Sequence, residues 1–294
     1  MVENSNLTIS DFRALMDQVS ASGAPGLRVF AAWLADQPEE LAFHSVRGLA
    51  NMAGTDANTV VRTIKAAGFP GFTAARKAVQ QALRRVDQDY VSRVDALQQI
   101  GPGSLQPEMS EAALRNVRRV YAAPVWDRLQ SIAPELVAAR RVHCIGVRMA
   151  YGLAHYFTYR GGIAHANIAP TPSQPGLILD SLIESDERDV VIVISFAHYS
   201  AEVVRAAHVA RSQGARILAL TDRHDSPLAK GAWQVVRAPV EGPNVMFSII
   251  GAMLIIETLL ELMAAHDDQS KSRIERFENG LIALGTYTRH PAWQ

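Results

Sequence analysis

The sequence predicts two domains of different class: an all-α N-terminal domain with a helix-turn-helix, then an α/β three-layer sandwich on a five-stranded parallel sheet. Three observations carry this prediction. Residues 45–72 read as two short helices around a glycine-containing turn. From Arg141 onward, short β-branched-rich runs alternate with helical stretches. Between the two regions stands Gly101-Pro-Gly-Ser-Leu-Gln-Pro107, dense in turn residues. A chain of 294 residues is long enough for two hydrophobic cores. The expected boundaries are a helical domain at 1–95, a linker at 96–109, the α/β domain at 110–265 and a partly helical tail at 266–294.

Residues 8–36 have helical periodicity, with Phe12, Leu15 and Val19 on one stripe and Val29, Phe30, Trp33 and Leu34 on another after Gly23-Ala-Pro-Gly26. The next two helices are more informative. The first spans about Val46 to Ala53, with Ser45 as its cap. Gly54 supplies a permissive turn, and Asp56 caps a second helix of about Ala57 to Ala67 that Gly68 ends. Leu49, Ala50 and Ala53, with Val60, Ile64 and Ala67, give each helix one buried face. That leaves Asn58, Thr59, Arg62, Thr63 and Lys65 for the outside of the second helix, joined by Arg47 from the first.

Asn and Arg early on such a helix suit bidentate contacts with adenine and guanine edges, and Lys65 suits a phosphate. From His44 to Val86 the chain carries Arg47, Arg62, Lys65, Arg76, Lys77, Arg84 and Arg85 against one acid, Asp56. The whole chain balances 29 basic against 29 acidic residues, so this positive charge is localised, as binding to double-stranded DNA requires.

Helices continue to about Val94 and resume from Ser110 to Ala122, with Leu114, Val117 and Tyr121 in register, and from Pro124 to about Ala139. The five expected strands are 142–147, 166–169, 190–195, 216–221 and 234–238, with helices at 151–160, 177–184, 201–213 and shortly after Pro227. Asn244 to Ala265 reads as the last and most apolar helix. In such sheets ligands bind beyond the carboxyl ends of the strands. Three loops lie there: Gly146-Val-Arg-Met-Ala-Tyr151, Ser195-Phe-Ala-His-Tyr-Ser-Ala-Glu202 and Thr221-Asp-Arg-His-Asp-Ser-Pro-Leu228. Hydroxyls and free N–H groups at a helix N-terminus suit an anion.

The bulk properties describe an ordinary soluble, cytoplasmic protein, 48 % apolar with a single cysteine, Cys144, which excludes an internal disulfide. Residues 1–10 lack the basic and apolar regions of a signal peptide. The apolar run Phe247 to Met263 contains Glu257 and Glu261 and is short for a membrane span. The nine histidines form no recognisable metal motif, so neither a metal nor a cofactor is expected.

Taken together, these segments resemble the RpiR-type bacterial transcriptional regulators, which join a helix-turn-helix domain to a sugar isomerase (SIS) domain. The resemblance covers about residues 8 to 265 and rests on Gly68-Phe-Pro-Gly-Phe72, Ile194-Ser-Phe-Ala-His-Tyr-Ser-Ala-Glu202 and Leu220-Thr-Asp-Arg-His-Asp-Ser-Pro-Leu-Ala229. It implies a regulator whose grip on operator DNA changes when a metabolite, often a phosphorylated sugar, binds the SIS domain.

Two loops depart from the phosphosugar pattern. The usual Gly-x-Gly-x-Ser keeps Gly146 but has Arg148 and Ala150, and the usual Ser-x-Ser-Gly-x-Thr keeps Ser195 and Ser200 but has Ala197 and His198. Arg148 and His198 can replace lost hydroxyls by charge. The expected effector site is therefore Gly146, Arg148, Ser195, His198, Ser200 and Glu202, for a sugar phosphate or a sugar or organic acid.

The alternative is a phosphosugar isomerase with an accessory helical domain, for which Glu202, His198 and His155 are the only plausible acid–base candidates near the loops. No catalytic residue is assigned in the regulator reading. Operator symmetry favours a dimer or tetramer, with the helices at 244–265 and 110–122 as candidate subunit contacts.

Overall fold

A computed structural model describes residue 7 and residues 9–86, 90–172, 175–223 and 226–286. The side chains of residues 83–86, Arg84 and Arg85 among them, lie outside the described set, as do His224 and Asp225 of the third loop and the end of the chain from Tyr287. The chain divides into two compact units, residues 1–96 and 97–294.

Unit 1 is helical: α1 (Ile9–Ser22), α2 (Pro25–Asp36), α3 (Glu40–Phe43), α4 (Val46–Met52), α5 (Ala57–Ala66) and α6 (Phe72–Val86). Its core gathers Phe12, Met16, Phe30, Leu34, Leu41, Leu49, Val60, Ile64, Phe69 and Val79. Each of these large side chains contributes about 1.5–3 kcal/mol by leaving water. The expected stripe on α2 is corrected at one position, because Val29 is 69 % exposed. A further helix, α7 (Tyr90–Ile100), has no buried residue.

The stretch expected as a linker is largely helical. Beyond Gly101, α8 (Pro102–Val120) begins with Pro102 in its first turn, where a missing N–H leaves no bond unmade. Pro107 is carried inside the helix. Next, α9 (Ala123–Ala138) leads into the sheet: β1 (Val142–Gly146), α10 (Met149–Ala164), β2 (Val190–Ile194), α11 (Ala201–Ser212), β3 (Arg216–Thr221), β4 (Gln234–Arg237), α12 (Ile250–His266) and α13 (Ser270–Ala283). The strands are parallel in the order β1-β2-β3-β4, with Gly146 opposite Ile194 and Ile194 opposite Leu220.

Alternation along the strands divides the core. Val142, Cys144, Ile192, Ile194, Leu218 and Leu220 face α9, α10 and α12, while Ile145, Val191, Val193, Ile217 and Ala219 face α11. The sheet therefore has three layers but four strands, not five. The expected strand at 166–169 is reduced to one bridge, Ile168 beside Val142, held by Val142 N–H to Asn167 O at 2.8 Å and Ala169 N–H to Val142 O at 2.9 Å. The Asn167 amide is turned away to donate to Leu136 O and Ala139 O, both at 2.9 Å. Pro170 and Pro172 then interrupt the supply of strand donors.

Three other expectations are corrected. Residues 177–184 form two short 3-10 turns, Pro175–Leu177 and Asp180–Leu182, because Ser181 and Ser185 hydroxyls donate to Ile178 O and Leu182 O. The described residues after Pro227 form a turn, not a helix. The last apolar helix starts at Ile250 rather than Asn244, since Ser248 N–H is held by Val240 O and Phe247 is buried. Much of its apolar surface packs into the unit's own core, with Ala252, Ile255, Ile256, Leu259, Leu260 and Met263 buried, while Ile250 stays 43 % exposed. On α8, Leu114 and Tyr121 remain 54 % and 49 % exposed.

Candidate functional sites in the two units

In unit 1 the candidate surface is built by two caps and one turn. Ser45 Oγ accepts from Gly48 N–H at 3.1 Å at the start of α4. Gly54, with φ of 62°, turns the chain where a side chain would be strained. Asp56 then accepts from the Thr59 N–H at 2.9 Å and the Thr59 hydroxyl at 2.6 Å. Those two Thr59 hydrogen bonds hold the Asp56 carboxyl below the usual carboxylate range. The apolar positions Val60, Ile64 and Ala67 face the core, so Asn58, Arg62 and Lys65 are exposed on α5, with Arg47 exposed on α4.

Thr59 is half-buried and engaged with Asp56. Thr63 is fully buried, contrary to expectation. It lies three residues after Val60 and one before Ile64, on the core-facing stripe, and its hydroxyl is satisfied by the Thr59 carbonyl at 2.8 Å. Lys77 of α6 is also exposed, whereas Arg76 reaches back to Ala42 O at 3.0 Å.

In unit 2 the two expected loops leave neighbouring strands at the same level, since Gly146 and Ile194 are opposed. The first loop is a tight turn closed by Ala150 N–H to Val147 O at 3.0 Å. Arg148, its second residue, has φ of 54° and ψ of −125°, the geometry of a type II′ turn, which normally demands glycine. Gly146 is needed for a different reason. A Cβ there would stand 2.5 Å from Ala150 O, so the turn could not fold back over the strand end.

Among the described residues, Arg148 and His198 are the non-glycine positions with positive φ. They are the two loop positions at which the phosphosugar pattern has glycine and this chain does not. At both, the backbone adopts a conformation that favours glycine. Such residues cost about 1–3 kcal/mol each and persist where the surroundings impose them, often at ligand sites.

Gly146 and Arg148 line a cavity of about 320 Å³ with Tyr151, Thr171, Pro172 and Ile178. The Arg148 side chain is exposed and forms no hydrogen bond or ion pair with the described residues.

The second loop is organised from within. Ser195 Oγ accepts the Ser200 N–H at 3.1 Å, and Ser200 Oγ donates to Glu202 at 3.1 Å at the N-terminus of α11. Glu202 already places a carboxylate against the helix dipole there. The sequence reading missed the residues that hold this loop. Asp222, at the end of β3, accepts from Ala197 N–H at 3.1 Å and from the Tyr199 hydroxyl at 3.0 Å. Thr221 donates to Ser195 O at 2.9 Å and approaches the Ser226 hydroxyl at 2.9 Å.

Burial pushes the Asp222 carboxyl up, against the opposing pull of Ala197 N–H and Tyr199. Burial and the neighbouring Asp222 raise the Tyr199 phenol as well. The signal for Asp222 was its position immediately after a strand, facing the neighbouring loop.

Gly146 and Arg148 thus share one cavity, while Ser195, Ser200 and Glu202 gather at the adjoining helix start, with His198 exposed between Ala197 and Tyr199. His155 is outside the cavity lining, exposed on α10 and stacked between Tyr151, which does line it, and Tyr159 at ring distances of 6.1 and 6.2 Å. Among the described residues, no group of three or more His, Cys, Asp or Glu is placed to hold a metal ion, and no helix is long and apolar enough to cross a membrane.

Residues 135–263 match the family model described as the SIS domain. The second unit carries a SIS domain. Along most of its length the chain is similar to curated helix-turn-helix-type transcriptional regulators, in keeping with the RpiR-type resemblance. An uncharacterised HTH-type regulator of Caldanaerobacter subterraneus subsp. tengcongensis is 26 % identical over 270 residues, covering 87 % of this chain and 91 % of that protein. The HTH-type regulator HexR of Pseudomonas aeruginosa is 24 % identical over 246 residues, covering 81 % and 82 %.

Among solved structures, Vibrio vulnificus NanR complexed with ManNAc-6P has a TM-score of 0.53 at 21 % identity, covering 93 % of this chain and 98 % of NanR. The sugar isomerase domain of an RpiR transcription factor from Sphaerobacter thermophilus has a TM-score of 0.52 at 17 % identity, covering 61 % and 99 %. At these identities the structures speak for the fold, including the SIS domain's layers and strand ends.

Proposed function

We propose that this protein is a cytoplasmic DNA-binding transcriptional regulator whose SIS domain senses a small anionic, carbohydrate-derived metabolite. The observation that carries the reading is the outward set Asn58, Arg62 and Lys65 on the capped helix α5, in a chain whose other unit is a SIS domain. In this reading α4 and α5 form the helix-turn-helix, with α5 in the major groove, Asn58 and Arg62 at base edges, and Lys65 and Arg47 at phosphates. Thr59 and Thr63 serve as cap and core, not as readers of sequence.

The effector lies at the strand ends, its anionic group facing Arg148 across the 320 Å³ cavity. His198 presents a second nitrogen base from the neighbouring loop, and Asp222 positions that loop from behind. The strain at Arg148 supports a ligand role, since its exposed side chain stands on a glycine conformation and forms no hydrogen bond or ion pair with the described residues. The phosphate of ManNAc-6P in the NanR complex is the kind of group such a site would hold. Two copies acting on a near-palindromic operator complete the scheme, and the effector shifts the balance between two arrangements by its differential affinity.

Two of the three acid–base groups of the isomerase alternative are otherwise engaged, Glu202 with Ser200 and His155 in an aromatic row on α10, which favours the regulator. The test is fluorescence anisotropy of labelled DNA from upstream of the protein's own gene, with sugar phosphates and sugar acids titrated in. Saturable, salt-sensitive binding that one anionic sugar shifts is the expected result. Turnover of a sugar phosphate with no preference for that DNA would replace the regulator reading with the enzyme.

A further inference from the structure

A second cavity, of about 490 Å³, lies at the other end of α10. The helix spans 16 residues, so this cavity is about 24 Å from the Arg148 turn at a rise of 1.5 Å per residue. Its walls come from α10, α12 and α13 and are chiefly apolar, with Ile163, Leu260, Ala264, Phe277 and Leu281 among them. At the rim, Arg160 is paired with Glu261 at 2.7 Å.

The one histidine in the lining is unlike the rest of it. His165, the C-cap of α10, is 2 % exposed. Its Nδ1 lies 2.7 Å from Asp267 Oδ2 in the turn between α12 and α13. Its Nε2 is buried and has no hydrogen-bond partner among the described residues.

The Asp267 bond fixes what Nε2 can do. Burial pushes the Asp267 carboxyl up, but the Gln269 N–H and His165 outweigh that and hold it below its ordinary value. An ionised carboxylate only accepts, so Nδ1 carries a proton, and in the neutral imidazole Nε2 then presents a lone pair. A buried acceptor without a donor carries a free-energy cost that a bound donor would recover.

We propose that this groove is a second small-molecule site, taking an apolar ring or short chain whose single polar group is a hydroxyl donating to His165 Nε2. Its volume falls in the range of ordinary ligand pockets. Its chemistry is opposite to that of the strand-end cavity: a neutral, mostly apolar ligand rather than an anionic one. The site does not depend on how the strand-end cavity is used.

The experiment is a titration of the full-length protein with 4-ethylphenol and, separately, with ethylbenzene, following the imidazole ¹⁵N resonances. 4-Ethylphenol should move the His165 Nε2 resonance and bind at least tenfold more tightly than ethylbenzene. His165→Phe should reduce 4-ethylphenol to the affinity of ethylbenzene. Should that variant fail to fold, Ala264→Trp offers an independent check, because it fills the groove and should abolish binding of both probes. Equal affinities with His165 unmoved, or no binding up to the solubility limit, would overturn the proposal. So would Ala264→Trp dissociating a self-associated form in sedimentation, which would assign the groove to a second copy of the chain.

Discussion

Helix α5 and the Arg148 turn both present a cation to solvent, but they do so at different energetic cost. On α5 the exposed side chains ride on relaxed helical backbone, while Val60, Thr63 and Ile64 on the opposite face hold the helix in place. At the Arg148 turn the cation stands on backbone that an L-residue resists, over a glycine whose replacement the turn cannot accept. In the first region recognition and stability occupy different residues. In the second they compete at the same residue. Mutations should therefore separate the two properties cleanly in unit 1 and trade one for the other in unit 2.

The largest effect is expected at the boundary of the α5 division. Thr63→Lys forces a charge into a fully buried position and should destabilise the protein by about 3–5 kcal/mol in urea denaturation. A tolerated lysine would mean that this face is not core. Arg62→Ala should leave the urea midpoint where it is and weaken operator binding by about 1–3 kcal/mol in anisotropy titrations, with effector affinity unchanged. Arg148→Gly should do what no α5 substitution does. It should raise stability by about 1–2 kcal/mol, by releasing the strained turn, while removing the effector's influence on DNA binding. Stability falling together with effector response would show that Arg148 is structural.

The remaining two predictions are smaller. The Asp222 carboxyl is raised in the native state, so its ionised form is the one the fold disfavours. Its contribution is absent below the ordinary value of 3.8 and becomes an increasing penalty as pH rises from there through the raised native value. Asp222→Asn should therefore gain on the wild type as pH rises across that window in urea midpoints, although the loop it positions will respond less to effector. Lys65→Ala should weaken DNA binding to all sequences alike and lower the salt dependence by about one unit of slope.

The two regions also differ in how far the sequence discloses them. For α4 and α5, caps and apolar spacing are local signals, and Ser45, Asp56, Asn58, Arg62 and Lys65 are found where those signals put them. Thr63 fails because residue polarity was weighed above its place on the stripe. A threonine can close its hydroxyl onto its own helix and so behave as an apolar residue.

In unit 2 the alternation of strands and helices is legible, and so is the departure of the loops from a glycine pattern. The positive φ at Arg148 and His198 is not, because loop closure against the neighbouring strand imposes it. Asp222 escapes notice because its partners, Ala197 and Tyr199, lie more than twenty residues away. The missing fifth strand has the same cause: Asn167 is captured by carbonyls of α9, about thirty residues earlier.

The single bridge at Ile168 also bears on how copies of this protein can meet. It occupies the outer rim of β1, where an open ladder would otherwise invite another chain to extend the sheet. At the opposite rim β4 is only four residues long, and the Arg128 side chain already takes its Val235 carbonyl. With both rims blunted, a strand-swapped or fibrous assembly has no template among the described residues. Association through exposed helix side chains, such as Leu114 and Tyr121, would leave the sheet undisturbed and could be retuned by a few substitutions.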